Sequence, residues 1–258
     1  MVFKITIHAL RMIFTNFSSA LKIALVPFVL SQLVGLGFYY FLTGQLFASQ
    51  AELQSVLMTD GYGKFLLGML VMLVLSIVLM AWIAVGWHRF VLLEEYPNGF
   101  LPKWHGDQTK AYIGKILLLM LILMGLGFVG GLVAGLLGAL LAVAIHPLAV
   151  VVPMLLVYLA MLWIFTRLSL VLPSVSIGNP MGFGEAWEHT KPMSGTILGV
   201  AILSGIVIYV PAALQFIAPE NGVFIAIVSF VVGFFGVLLG ASVLTTIYGI
   251  IIEKRELT

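Results

Sequence analysis

Cysteine is absent from this chain, and charge is scarce. The first absence excludes disulfides, thiolate nucleophiles and Cys-ligated metals, and it removes any redox clue to compartment. The second is sharper. Only 9% of the 258 residues are charged, where a water-soluble domain carries about 25%. The acidic residues fall between apolar runs or at their ends. No carboxylate sits in the middle of one, which argues against a transporter that carries protons on an intramembrane acid. There is no HExxH, no pair of histidines at ligand spacing on one helix, no GxSxG and no Ser-His-Asp grouping. His8, His88, His105, His146 and His189 are best read as interfacial hydrogen-bonding groups rather than metal ligands. A phosphate-binding glycine loop would need a strand and a following Lys-Ser/Thr, which are missing. The expectation is a protein that is not an enzyme, with no cofactor and no metal.

What remains is apolar. Hydrophobic residues make up 62% of the chain and the mean hydropathy is +1.19. Several runs exceed the roughly 20 residues needed to cross a bilayer core of about 30 Å. The runs are continuous rather than alternating, so the pattern predicts helices and not a barrel. The fold class is all-α: a polytopic membrane helix bundle forming one integral membrane domain over residues 1–258. Six spans are expected at about 20–42, 65–87, 113–137, 148–172, 194–217 and 223–250. Pro27 lies in the first and Pro211 in the fifth. Residues 113–145 are longer than one straight span needs, which predicts a tilted or broken helix with 131–144 partly outside the core. The loop 43–63 has room for a short helix around 46–57, and Ala218–Gly222 reads as a tight turn. The first apolar run lacks a small-residue cleavage site and is expected to stay in place.

Residues 2–19 carry Phe3, Ile7, Leu10, Phe14 and Phe17 at helical spacing, beside a polar stripe of Lys4, His8, Arg11, Thr15, Ser18 and Lys22. This predicts an amphipathic helix in the membrane interface, with Asn16 or Ser18 as a cap for the next helix. Two further surface segments precede the third and fifth spans, around Trp104 and over Phe183–Lys191. If the spans are as assigned, eleven of the twelve Lys and Arg residues lie on one side, with only Lys64 opposite. The positive-inside rule then puts both termini in the cytoplasm. The basic residues are spread along a membrane face and mixed with acids, so nucleic acid is not an expected partner.

The surface segments hint at an internal repeat of surface helix plus hairpin, in three units. TKAYIG (Thr109–Gly114) follows Trp104 as TKPMSG (Thr190–Gly195) follows Trp187, and spans two and four end in Trp82…Arg89 and Trp163…Arg167. A common need for aromatic and basic anchors explains the similarity as well as duplication does. Arg89 and Arg167 are the most informative charges. Arg167 lies about 29 Å along its span, near the inner boundary. There it can bind a headgroup phosphate or a neighbouring carboxylate, or serve a substrate site. Glu94, Glu95, Glu185 and Glu188 are the candidate partners. Arg89, Arg167, Glu94, Glu185, Trp187, Lys110 and Lys191 together form the candidate lipid, partner or locking site. Gly127, Gly131 and Gly135, with Gly138, offer GxxxG spacings for close helix packing. Ser76, Ser204 and Ser242 read as interhelical hydrogen-bonders.

The stretch RLSLVLPSVSIGNPMGFGEAWEHTKPMSG resembles a signature of bacterial six-span proteins. That group includes YciC-like proteins and the membrane domain attached to some glycerophosphodiester phosphodiesterases. There a span ends in arginine, apolar residues and a proline, followed by a short helix leading into the fifth span. The matching positions are Arg167, Pro173, Glu185, Ala186, Trp187, Thr190 and Lys191, with Asn16 and Pro27 fitting the N-terminal pattern. The resemblance implies a bacterial inner membrane and no catalytic residue, because the phosphodiesterase chemistry belongs to a soluble barrel. The leading expectation is an accessory or scaffolding subunit that contacts membrane lipids and a membrane-protein partner or a second copy. The alternative is a transporter or lipid-handling permease with a polar site near Arg89 and Arg167. A third class, an intramembrane enzyme, would need a polar cluster assembled from separate spans.

Overall fold

A computed structural model describes residues 1–45, 54–55, 62–217 and 222–257. The expected short helix at 46–57 and the turn 218–222 lie largely outside these residues. Among the described residues there is no strand. Nine α-helical segments are described: α1 (Val2–Thr15), α2 (Phe17–Thr43), α3 (Tyr62–Leu93), α4 (Gly106–Ala144), α5 (Val151–Leu168), α6 (Val171–Ser176), α7 (Phe183–Thr190), α8 (Ser194–Ala212) and α9 (Gly222–Ile251). Short 3-10 turns precede α5 and α8 and follow α8. Six stretches are long and apolar enough to cross a membrane: α2, α3, α4, Pro147–Ser176, Phe183–Ala212 and Val223–Ile251. The protein is a six-span, all-helical membrane bundle, as its hydropathy predicts.

The spans pair as hairpins, α2 with α3, α4 with α5 and α8 with α9. The hairpins share one core, and that core sits at one end. Its members are drawn from residues 5–28, 81–92, 170–175 and 234–251, with Tyr112, Ala186, Ile197 and Val200. The far halves of the spans expose large apolar side chains in succession, as in Leu66, Leu67, Leu70, Val71, Leu73 and Val74 of α3. At the core end, α6 packs against α3, α4 and α9, and all six of its residues are buried.

Several local expectations are revised. The surface helix stops at Thr15 rather than residue 19. Asn16 does not cap α2; its amide Nδ2 donates to the Met12 carbonyl at 2.9 Å. That bond satisfies a carbonyl left open at the end of α1 and leaves the chain to restart at Phe17. α1 also has a second apolar stripe, Ile5, Ala9 and Ile13, completely buried in a helix packed on α8 and α9. The more strongly apolar Phe3, Ile7 and Phe14 remain exposed.

The segment around Trp104 forms no separate helix. Residues 94–105 are irregular, and the polar stretch from Gly106 is simply the first turns of α4. Pro97 and Pro102 each lack a backbone N–H and disfavour a continuous helix before it, and no proline follows until Pro147. The long third run is one unbroken helix of 39 residues, about 58 Å long. The fourth span interrupts at Ser169–Leu170. Pro173 occupies the first turn of α6, where its missing N–H leaves no helical bond unmade.

The expected glycine face is met at Gly138 and revised at Gly131 and Gly135. A Cβ on Gly131 or Gly135 would meet nothing within 4 Å, and one on Gly127 only Met161 Sδ at 3.9 Å. Close approach occurs at the expected Gly138, where Val150 Cγ2 would lie at 2.7 Å, and at Gly130, where a Cβ would meet Val157 at 3.1 Å. The hairpin between α4 and α5 selects this face.

Candidate functional site

The two span-end arginines lie at the core end, and each is taken up by the protein itself. Arg167 is in the last turn of α5 and only 3% exposed. Its Nε donates to Thr190 Oγ1 at 3.0 Å and its Nη2 to the Trp187 carbonyl at 2.5 Å. The guanidinium carbon lies 3.5 Å from the Trp187 ring centroid and 4.9 Å from that of Trp163. The two indoles meet edge to face at 5.3 Å, and Trp163 Nε1 donates to the Ser194 carbonyl at 3.2 Å. One arginine and two tryptophans therefore tie together the end of α5, the short helix α7 and the start of α8. A planar cation stacked on aromatic faces is well suited to such a place.

Among the described residues no carboxylate forms an ion pair with Arg167. Glu185 instead accepts the Gly182 N–H at 2.7 Å and so caps α7. Glu188 pairs with Lys191 at 3.7 Å on the exposed side. Lys110 pairs with Asp107 at 3.9 Å, both highly exposed. Lys110 and Lys191 thus stay at the surface, while Arg167 and Trp187 form the lock.

Arg89 repeats the theme with different partners. Its Nε donates to Glu95 Oε2 at 2.7 Å and its Nη1 to the Ser176 carbonyl at 3.1 Å. Glu95 Oε1 also meets Lys103 at 3.2 Å and His105 Nε2 at 3.3 Å. The expected partner Glu94 makes no ion pair among the described residues. It adopts a left-handed conformation with φ 55° that ends α3, and the next residue folds back through a 3.4 Å bond from Glu95 N to the Arg89 carbonyl. Burial works against the charge of Glu95, but its bonds to Arg89 and Lys103 and the charge of His105 outweigh that and hold its carboxyl below the ordinary value. His105 is pushed below its ordinary value by burial and by the nearby Arg89 and Lys103 charges, against the pull of Glu95. A cleft of about 520 Å³ opens beside this cluster, lined by Arg89, Glu95, Lys103, His105 and the 96–102 loop.

The two arginine sites are built alike. Trp82 and Trp104 also meet edge to face, at 5.4 Å, and Trp82 Nε1 donates to the Lys103 carbonyl at 3.3 Å. In both sites an indole at the end of one span binds a carbonyl of the segment entering the next. α1 carries no such pair, so this likeness covers two of the three expected units.

Other cations follow the same chemistry. Arg255 donates to the Val91 and Leu92 carbonyls at 3.3 and 2.9 Å, closing the end of α3 from the C-terminal tail. Lys254 donates to the Ile251 carbonyl at 2.7 Å and Lys115 to the Met181 carbonyl at 3.1 Å. Helix C-termini leave four carbonyls open and carry partial negative charge. Arg89, Arg167, Lys254 and Arg255 neutralise four such ends. α9 ends as α3 does, with a left-handed Lys254 (φ 57°) and a 3.0 Å bond from Arg255 N to the Gly249 carbonyl.

His88 is not interfacial. It is fully buried, its Nδ1 lies 2.8 Å from Thr245 Oγ1, and its ring sits 6.1 Å from that of Tyr112. Among the described residues, His88 Nε2, Trp87 Nε1 and Thr109 Oγ1 are buried without a hydrogen-bond partner, and so are Ser204 Oγ and Ser242 Oγ, which do not form the expected interhelical bonds. The available signal for His88 was the hydroxyl pair Thr245-Thr246 at a matching depth on α9. Among the described residues, no group of three or more His, Asp or Glu residues could hold a metal ion. No family model, no curated protein and no solved structure matches this chain.

Proposed function

We propose that this protein is a non-enzymatic accessory or scaffolding subunit of a membrane complex. One observation carries the reading: the core is confined to one end, and beyond it the hairpins expose apolar side chains on most faces. A base locked by arginines, with loosely covered arms, suits a subunit that receives the spans of a partner. The charge asymmetry and the likeness to YciC-like proteins support a bacterial cytoplasmic membrane with both termini in the cytoplasm.

A permease with an anion site at Arg89 and Arg167 is less favoured. Both guanidiniums are already bonded to main-chain carbonyls and to Glu95 or Thr190. Native mass spectrometry after gentle extraction from the protein's own membrane separates the two. The scaffold reading expects a stoichiometric protein partner. A lone chain holding one small molecule, lost on Arg167→Ala in a variant that still folds, would overturn it.

A further inference from the structure

α1 has three sides. Ile5, Ala9 and Ile13 are buried. Lys4, Ile7, Arg11 and Phe14 recur at helical spacings of three, four and three, which places two cations beside two large apolar side chains on the exposed side. Phe14 links this edge to a cleft of about 200 Å³ between α1, α8 and α9, with an almost wholly apolar lining. Leu10 and Phe14 roof it, Ile208 and Pro211 form one wall, and Phe235 and Gly236 the other. Phe14 stacks on Phe235 at 5.6 Å.

Charge complementarity names the occupant. Lys4, Arg11 and Lys22 make no ion pair among the described residues, and no acid precedes Glu52 in the chain. The tail acids have places of their own. Glu253 pairs with Arg255 at 2.5 Å, and Glu256 lines a second cavity with His8 and Met12, on another side of α1. A cationic edge that shares Phe14 with an apolar cleft, at the end of the bundle where the cations gather, fits one molecule with a phosphate at its head and an alkyl chain alongside.

We propose that the cleft under α1 binds one anionic glycerophospholipid, its acyl chain between α8 and α9 and its phosphate over Arg11 and Lys4. This rests on the membrane placement of the spans and goes beyond the scaffold reading, so either can fail without the other.

The test uses the full chain in nanodiscs of equal phosphatidylcholine and phosphatidylglycerol, with lipids retained after release counted by native mass spectrometry. The wild type is expected to keep one phosphatidylglycerol in preference to phosphatidylcholine. Exchanging both exposed cations, Lys4→Gln with Arg11→Gln, should lower that preference on the order of tenfold or more. Gly236→Leu should remove the bound lipid by filling the cleft. A Cβ there lies 3.6 Å from Ile208, and intrinsic tryptophan fluorescence checks that the variant folds. Should Gly236→Leu not fold, the exposed cation pair still decides. Equal retention of both lipids, no retention, or a phosphatidylglycerol preference unchanged in the cation pair would each overturn the proposal.

Discussion

Arg167 shows what a single side chain does at this end of the bundle. Its two hydrogen bonds and two aromatic contacts need a planar, forked cation. Lysine keeps the charge but cannot donate in two directions while stacking. Arg167→Lys is therefore expected to cost about 1–3 kcal/mol. Tryptophan emission is the natural readout, since Trp163 and Trp187 frame the site and the chain has no cysteine for thiol dyes. An unchanged midpoint would mean the stack is incidental. Glu95 and His105 give a pH test. Glu95 has a depressed carboxyl, so its contribution is present above the unfolded value of 4.5 and is lost as pH falls through its lower folded value. His105, also depressed, favours the neutral form and loses its contribution as pH falls below 6.5. Both signs agree: acidification from neutral pH weakens the 94–105 loop, starting near 6.5 and deepening below 4.5. Amide exchange in that loop should speed up over this window, and in Glu95→Gln only the His105 part should remain. Sequence spacing was enough to single out Arg89, Arg167 and Trp187. It did not choose Glu95 over Glu94, because that choice depends on the left-handed turn that ends α3.

Among the elements, α4 separates what periodicity reveals from what it hides. Of the glycines its spacing advertises, Gly138 packs closely while Gly131 and Gly135 do not, and Gly130 joins it. A glycine pattern shows where two backbones can approach, while the loop at His146-Pro147 decides which face meets α5. Gly138→Ala should destabilise by about 1–3 kcal/mol through overpacking against Val150. Gly131→Ala, with open space and better helix propensity, should be neutral or stabilising by up to about 1 kcal/mol. Thermal unfolding of the two variants checks this, and equal effects would contradict the assigned face. α1 teaches the same lesson in a lipid setting. Its most apolar stripe was legible, but the stripe that packs is Ile5-Ala9-Ile13. In a membrane the greasier face is free to meet lipid, so hydrophobicity alone does not identify the inward side.

For the whole molecule, the six spans followed from run length and hydropathy, since bilayer thickness is a hard constraint on sequence. The one-ended core did not, because lipid-facing and protein-facing residues share the same composition. Five basic residues that the sequence offers as topology markers, Arg89, Lys115, Arg167, Lys254 and Arg255, turn out to bind main-chain carbonyls. They hold the base closed while the arms stay uncovered. The most direct test of that account is position-resolved photocrosslinking in native membranes. A crosslinking residue would be placed on an arm, at Leu70 or Leu137, and at the base, in place of Val200. The account predicts one discrete protein adduct from the arm positions and none from the buried base. Lipid adducts alone at both arms, or the same protein adducts from the base, would contradict it.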